Sequence, residues 1–222
     1  MSKFILLFDL DGTLVDTLPD LTNALNEVLR ERGYAALAPA EVKPMIGDGM
    51  PMLLQRGFAA RGADAGEAAA MQPRFIATYE ANSAKLSRPY PGVPETLAAL
   101  RARGYATAVA TNKPHHATSE VLRGTGLADL FDLYAGGDRF AVKKPDPGHL
   151  LRLLDLLGGS PQRAAMIGDS ENDALAARAA SMALILMRYG YARTDPAQLG
   201  ADRVLDRFDE LPETLAALGL DP

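Results

Sequence analysis

Asp9 and Asp11 stand two residues apart at the end of an unbroken apolar run, Phe4-Ile5-Leu6-Leu7-Phe8, with Gly12 and Thr13 behind them. In an extended chain alternate residues face the same way, so both carboxylates aim at one point while Leu10 turns back toward the core. Three further clusters punctuate the chain: Thr111-Asn112, Lys144 ahead of Pro145, and Asp169 with Asp173 in Gly168-Asp169-Ser170-Glu171-Asn172-Asp173. Brought together, they supply several carboxylates, a lysine, a hydroxyl and loop amides. Carboxylates crowded in this way raise one another's pKa and need a cation before all can ionise. Mg2+ is the suitable ion, being hard, oxygen-seeking and content with one or two carboxylates plus a substrate phosphate. The chemistry that uses such a set is phosphoryl transfer. Asp9, at the tip of the strand, is the nucleophile that forms an aspartyl phosphate. Asp11 protonates the leaving oxygen and later takes a proton from water. Thr111 and the Asn112 amide hold the phosphoryl oxygens beside the Gly12 turn, and Lys144 supplies positive charge. Asp169 completes the metal site, with Asp173 supporting it directly or through water.

A calcium loop is the competing use of Asp-x-Asp-Gly, but it needs Gly at its sixth position and Glu at its twelfth. Counted from Asp9, those places hold Leu14 and Asp20. The calcium reading fails.

The elements that must carry these residues follow from periodicity. Short apolar runs of two to six residues read as strands, the longer ones buried on both faces. They fall at 4–8, 105–110, 133–135, 164–167, 183–186 and 204–205. Helical patterns lie between them from residue 90 onward, as in Val93/Leu97/Leu100 up to Gly104. This alternation predicts an α/β fold with a doubly wound parallel sheet, whose strand ends form one reactive edge. The stretch after Thr13 is different. Thr17 and Asp20 resemble a capping box ahead of Leu18, Leu21, Leu25 and Val28, and helical spacing continues to about Lys85. Some seventy residues are too many for one crossover. Residues 16–85 therefore read as an inserted all-helical cap, and 1–15 with 86–222 as the core. The cap hinges are expected near Val15–Thr17 and Lys85–Pro89.

Composition narrows the class. The chain has 222 residues, 48% hydrophobic and 23% charged, an ordinary globular balance. A formal net charge of -5 with dispersed acids gives no surface for nucleic acid or an anionic membrane. No cysteine is present, which removes disulfides, thiol nucleophiles and cysteine–zinc sites and suits a reducing, cytoplasmic setting. Asp9 cuts the N-terminal apolar run before it could serve as a signal sequence, and no stretch reaches membrane-spanning length. The expected partner is a small phosphorylated metabolite; composition does not choose between monomer and homo-oligomer. His115, His116 and His149 lack partners at ligand spacing and read as surface histidines, and Arg56, Lys85 and Arg88 as solvated charges.

The ordered set Asp9-Leu10-Asp11-Gly12-Thr13-Leu14, Thr111-Asn112, Lys144-Pro145 and Gly168-Asp169-Ser170…Asp173 resembles the four motifs of the haloacid dehalogenase superfamily. The resemblance implies a Rossmann-like core with a cap domain. It also implies Mg2+ held by the Asp9 and Asp169 side chains and the Asp11 backbone carbonyl. Further strings, Asp16-Thr17-Leu18-Pro19-Asp20-Leu21, Gly47-Asp48-Gly49, Tyr90-Pro91-Gly92-Val93, Thr111-Asn112-Lys113-Pro114 and Tyr189-Gly190-Tyr191, are similar to its phosphatases of 2-phosphoglycolate, which implies that substrate. A capped phosphatase or phosphomutase of another small ester or of pyrophosphate is the alternative. Two departures stand out: Ser181 where glycine is usual, and Lys43 where arginine is frequent. Gly47–Gly49 and Lys43 are the candidates to meet a substrate carboxylate.

Overall fold

The computed structural model describes residues 3–222. The chain opens with β1 (Ile5–Phe8) and a short β2 (Val15–Asp16), then runs through α1 (Leu18–Glu31), α2 (Pro39–Val42), α3 (Met50–Ala59) and α4 (Ala65–Glu80). Strand β3 (Arg88–Pro89) leads back into α5 (Val93–Ala102), β4 (Ala106–Ala110), α6 (His115–Gly124) and β5 (Leu133–Ala135). The remainder alternates as α7 (Gly148–Leu157), β6 (Ala164–Gly168), α8 (Glu171–Ala179), β7 (Ala183–Met187), β8 (Arg203–Leu205) and α9 (Leu211–Ala217).

Six strands form one parallel sheet in the order β5-β4-β1-β6-β7-β8. The winding reverses beside β1, and a crevice opens at that point outside the carboxyl ends of the strands. Phe8 pairs with Val109 on one side and Ile167 on the other, so β1, β4 and β6 end level. Alternation then sorts the side chains into two layers. Phe4, Leu6 and Phe8 pack under α5 and α9 with Val93, Leu97, Phe208 and Leu215. Ile5 and Leu7 pack against Leu150, Leu153 and Leu154 of α7 and the alanines of α8. Each such large side chain removed from water contributes roughly 1.5–3 kcal/mol.

Helices α1 to α4 bury their own apolar cluster, including Leu25, Leu29, Leu53, Phe58, Phe75 and Tyr79, which also takes in Ala117 of α6 and Tyr191. The alanine-rich stretch and Phe75 to Glu80 lie on one helix, α4, with Pro73 inside it. Burial of Phe75 and Tyr79 outweighs the one backbone bond that proline removes. Where the chain leaves and rejoins the sheet, β2 and β3 pair antiparallel, Val15 with Pro89 and Asp16 with Arg88.

The capping box expected of Thr17 and Asp20 is absent. The Thr17 hydroxyl donates to Asp11 instead, and buried Asp20 accepts from the Leu86 and Ser87 amides and the Ser87 hydroxyl at 2.7–3.1 Å. Asp20 thus ties the two crossings together, because a buried carboxylate takes the partners that tertiary contact offers. Ser181, after α8, adopts a left-handed φ of 56°, the conformation that favours glycine at that place. His149 is fully buried against Phe140, with Nδ1 3.2 Å from the Val142 carbonyl, and is not the surface residue its lack of motif suggested. Its position on the inner face of α7 decides the matter.

Candidate active site

Asp9 continues β1, its amide donating to the Ile167 carbonyl at 2.9 Å. Its carboxylate is 6% exposed. Oδ1 accepts from the Leu10 amide at 2.7 Å and lies 3.1 Å from Lys144 Nζ. Burial pushes the Asp9 carboxyl up to about 6, with Lys144 pulling it down and Asp173 and Asp11 pushing it further up. Lys144 also reaches Asp173 Oδ1 at 2.6 Å. Burial opposes its charge, but Asp173 and Asp9 outweigh burial and raise its pKa.

Asp169 leaves β6 on the other side of the crevice. Oδ1 accepts from the Thr13 hydroxyl at 2.7 Å and Oδ2 from the Tyr191 amide at 2.6 Å. Burial, then Asp9 and Asp173, raise its pKa well above the usual carboxylate range. One carboxylate oxygen each from Asp9, Asp169 and Asp173 falls within 4.8 Å of the others, a buried acidic triad that offers oxygen ligands only. Three buried acids, two of them held above their ordinary pKa, fit a hard cation that would let them ionise. Both oxygens of Asp173 are already engaged. Oδ1 meets Lys144, and Oδ2 accepts from the Asp169 and Ser170 amides and the Ser170 hydroxyl.

Gly12 turns the chain away from β1 at φ 87°, and an added Cβ would sit 2.5 Å from Asp169 Oδ2. Glycine is the residue that permits Asp169 to approach this loop. Thr111 and Asn112 extend β4 toward the same pocket, which Asp9, Asp11, Lys113, Gly47 and Gly49 also line. The Asn112 side-chain NH2 is spent on the Lys144 and Gly47 carbonyls, at 2.9 and 3.0 Å. Its backbone amide remains for a ligand.

The structure brings Asp9, Asp11, Gly12, Thr111, Asn112, Lys144, Asp169 and Asp173 to this edge, and adds partners that periodicity could not supply. Lys113 Nζ lies 2.9 and 3.0 Å from the two Asp11 oxygens and 4.5 Å from the centre of the Tyr79 ring. The Tyr191 hydroxyl donates to Asp16 at 2.6 Å and accepts from the Thr17 and Leu18 amides. One residue therefore joins Asp169 to the start of α1. Lys113 sits inside the Thr-Asn-Lys-Pro string, and that position was the signal available for it. Tyr191 likewise sits inside the Tyr-Gly-Tyr string, which was the signal available for it.

Asp48 is a different case from its glycine neighbours. Its Oδ1 accepts from Asn172 at 2.6 Å, and Oδ2 from Arg193 at 2.9 Å and from Arg56. Its carbonyl accepts from Lys143 at 2.9 Å. Burial opposes the charge, but the bonds from Asn172, Arg56 and Arg193 hold its carboxyl down at about 2. Arg56, half-buried in this cluster, is not a freely solvated charge. Lys43 stands aside from the pocket, 3.5 Å from the Tyr189 carbonyl and over the Tyr191 ring.

Comparison with known proteins agrees with this arrangement. The sequence profile of the haloacid dehalogenase-like hydrolases matches residues 6–187. The chain belongs to that family. Among this hydrolase's curated relatives, a Rhodospirillum rubrum protein named phosphoglycolate phosphatase is 45% identical over 94% of this chain and 89% of its own. One of the same name from Caulobacter vibrioides is 42% identical, over 95% and 90% respectively. The crystal structure of a predicted phosphoglycolate phosphatase from Haemophilus somnus superposes with a TM-score of 0.91 at 33% identity, covering 96% of this hydrolase and 98% of that chain. Among the described residues, no helix is long and apolar enough to cross a membrane.

Proposed function

We propose that the chain hydrolyses 2-phosphoglycolate to glycolate and inorganic phosphate, using Mg2+ and a phosphoryl group carried on Asp9. The observation that carries the reading is the buried Asp9 carboxylate at the crevice, 3.1 Å from the Lys144 ammonium and within 4.8 Å of Asp169. The shared name of the relatives supports the choice of ester.

Asp9 Oδ1 is committed to Leu10 and Lys144, so Oδ2 attacks phosphorus. The bond to the ester oxygen breaks, its electron pair goes to glycolate, and that oxygen takes the Asp11 proton. Water then attacks the phosphorus, giving its proton to Asp11, and the Asp9 carboxylate is restored as phosphate leaves. Thr111, the Asn112 amide and the Gly12 loop orient the phosphoryl oxygens. The Asp9 and Asp169 side chains and the Asp11 carbonyl would hold Mg2+, which when bound supplies positive charge to the phosphoryl group. Asp173, with both oxygens engaged, fixes Lys144 and the β6 loop in support. Residues 16–85 act as the cap over this site, moving about the paired strands β2 and β3.

A panel of phosphate esters with Mg2+, read by phosphate release, tests the reading. The expected result is strong preference for 2-phosphoglycolate over hexose phosphates, nucleotides and pyrophosphate. A hexose phosphate or pyrophosphate preferred by about tenfold would instead identify a related phosphatase or phosphomutase using the same chemistry.

A further inference from the structure

Among the described residues, Lys113 is the one side-chain cation lining the pocket in front of Asp9, and the steps above give it no part. Its side chain is 1% exposed. It rests on the Tyr79 ring and pairs with Asp11, whose carboxylate it shares with the Thr17 hydroxyl. Both Asp11 oxygens are engaged there, so Asp11 must give up these partners and take up a proton from solvent before it can protonate the leaving oxygen. When it turns, a buried ammonium loses its anion, and leaving one member of a buried pair alone is costly.

We infer that Lys113 selects the substrate, its ammonium receiving the substrate's carboxylate as Asp11 turns away from it to the ester oxygen. The inference rests on the 2-phosphoglycolate reading and deepens it. In that ester the carboxylate carbon is two bonds from the leaving oxygen, so the group that replaces Asp11 arrives with the atom Asp11 must reach. The rest of the described lining offers no second cation. Leu21, Ile46, Met50 and Leu53 are apolar, the Gly47, Gly49 and Asn112 amides are uncharged donors, and Lys43 is not among the lining residues. Burial opposes the Lys113 charge, but Asp11 and Tyr79 outweigh it, so the residue stays cationic in the site. An ester without a second anion leaves Lys113 holding Asp11. Selection and release of the acid–base group are then one event.

The test compares 2-phosphoglycolate with ethyl phosphate, which has nearly the same shape and no carboxylate. Values of kcat and KM for both are measured in the wild type, Lys113→Met and Lys113→Arg. In the wild type, kcat/KM should favour 2-phosphoglycolate by roughly 10²-fold or more, as expected where a site built for a polar group meets an analogue lacking it. Lys113→Met should collapse that ratio toward one, with KM for 2-phosphoglycolate rising. Lys113→Arg, which keeps the charge, should retain part of the preference. Loss of activity on both esters in step, with the ratio intact, would overturn the inference alone, since Lys113 would then act only by holding Asp11. A wild type indifferent between the esters would remove the 2-phosphoglycolate reading, and the inference with it. Thermal unfolding checks each variant. If the methionine chain does not fold, Lys113→Gln is measured on the same pair, with the same outcomes deciding.

Discussion

At the residue scale, Asp9 and Asp11 are two carboxylates with different surroundings and separable duties. Asp9 is held by Leu10 and Lys144 beside the acidic triad, whereas Asp11 is held by Thr17 and Lys113. Asp9→Asn removes both the nucleophile and a proposed metal ligand, and phosphate release should fall roughly 10⁴-fold or more. Sustained turnover of any phosphate ester by that variant would sink the covalent route. Asp11→Asn keeps the backbone carbonyl that is the proposed ligand. Its Mg2+ affinity, read by titration calorimetry, should hold while the rate drops roughly 10²–10⁴-fold. The opposite pattern, affinity lost and rate kept, would reassign Asp11.

At the element scale, the loop ahead of α3 is fastened to the sheet edge by Asp48. Three side chains from α3, α8 and the loop after β7 converge on that carboxylate, and Lys143 on its carbonyl. Asp48→Ala should unfasten the loop and raise KM for 2-phosphoglycolate about tenfold, the outcome expected if this loop belongs to a cap that closes over the site. An unchanged KM would mean that the loop closes without this latch. The end of α8 makes a second case. Ser181 bears a left-handed φ that costs a side-chain-bearing residue roughly 1–2 kcal/mol. Ser181→Gly should therefore raise stability, offset in part by the freer unfolded chain, and lift Tm by roughly 2–4 °C. A fall in Tm would show that the serine side chain contributes more than its backbone strain removes.

At the scale of the whole molecule, stability should weaken in acid through His149. Burial, then the Lys144 charge, lowers its pKa from 6.5 to about 4. The folded chain keeps this histidine neutral where the unfolded chain would protonate it. The resulting stability is full above about pH 6.5 and is lost as the pH falls from there toward 4. The penalty is on the order of 3 kcal/mol at the acid end. His149→Gln retains a donor for the Val142 carbonyl without the titration. Its Tm should decline less between pH 7 and pH 5 than that of the wild type, and equal declines would place the acid sensitivity elsewhere.

The sequence by itself determined the sheet and its reactive edge. Buried runs such as Ile5–Phe8 and Ala164–Gly168 are strands whichever neighbours they find, and a strand's carboxyl end fixes where Asp9 and Asp169 sit. The spacing of two residues and the Gly12 turn are local properties and were legible as such, whereas the closeness of Asp169 to that glycine was not. Tertiary structure decided the partners. Asp20 looked like a cap residue and became the tie between the two crossings, 66 and 67 positions from Leu86 and Ser87. Lys113 found Asp11 across 102 positions, and Tyr191 found Asp16 across 175. His149 went inside because α7 turns that face to the sheet. Hydrophobic periodicity acts along the chain and can be read from it, whereas a buried polar group takes its partner from whatever the fold brings within about 3 Å.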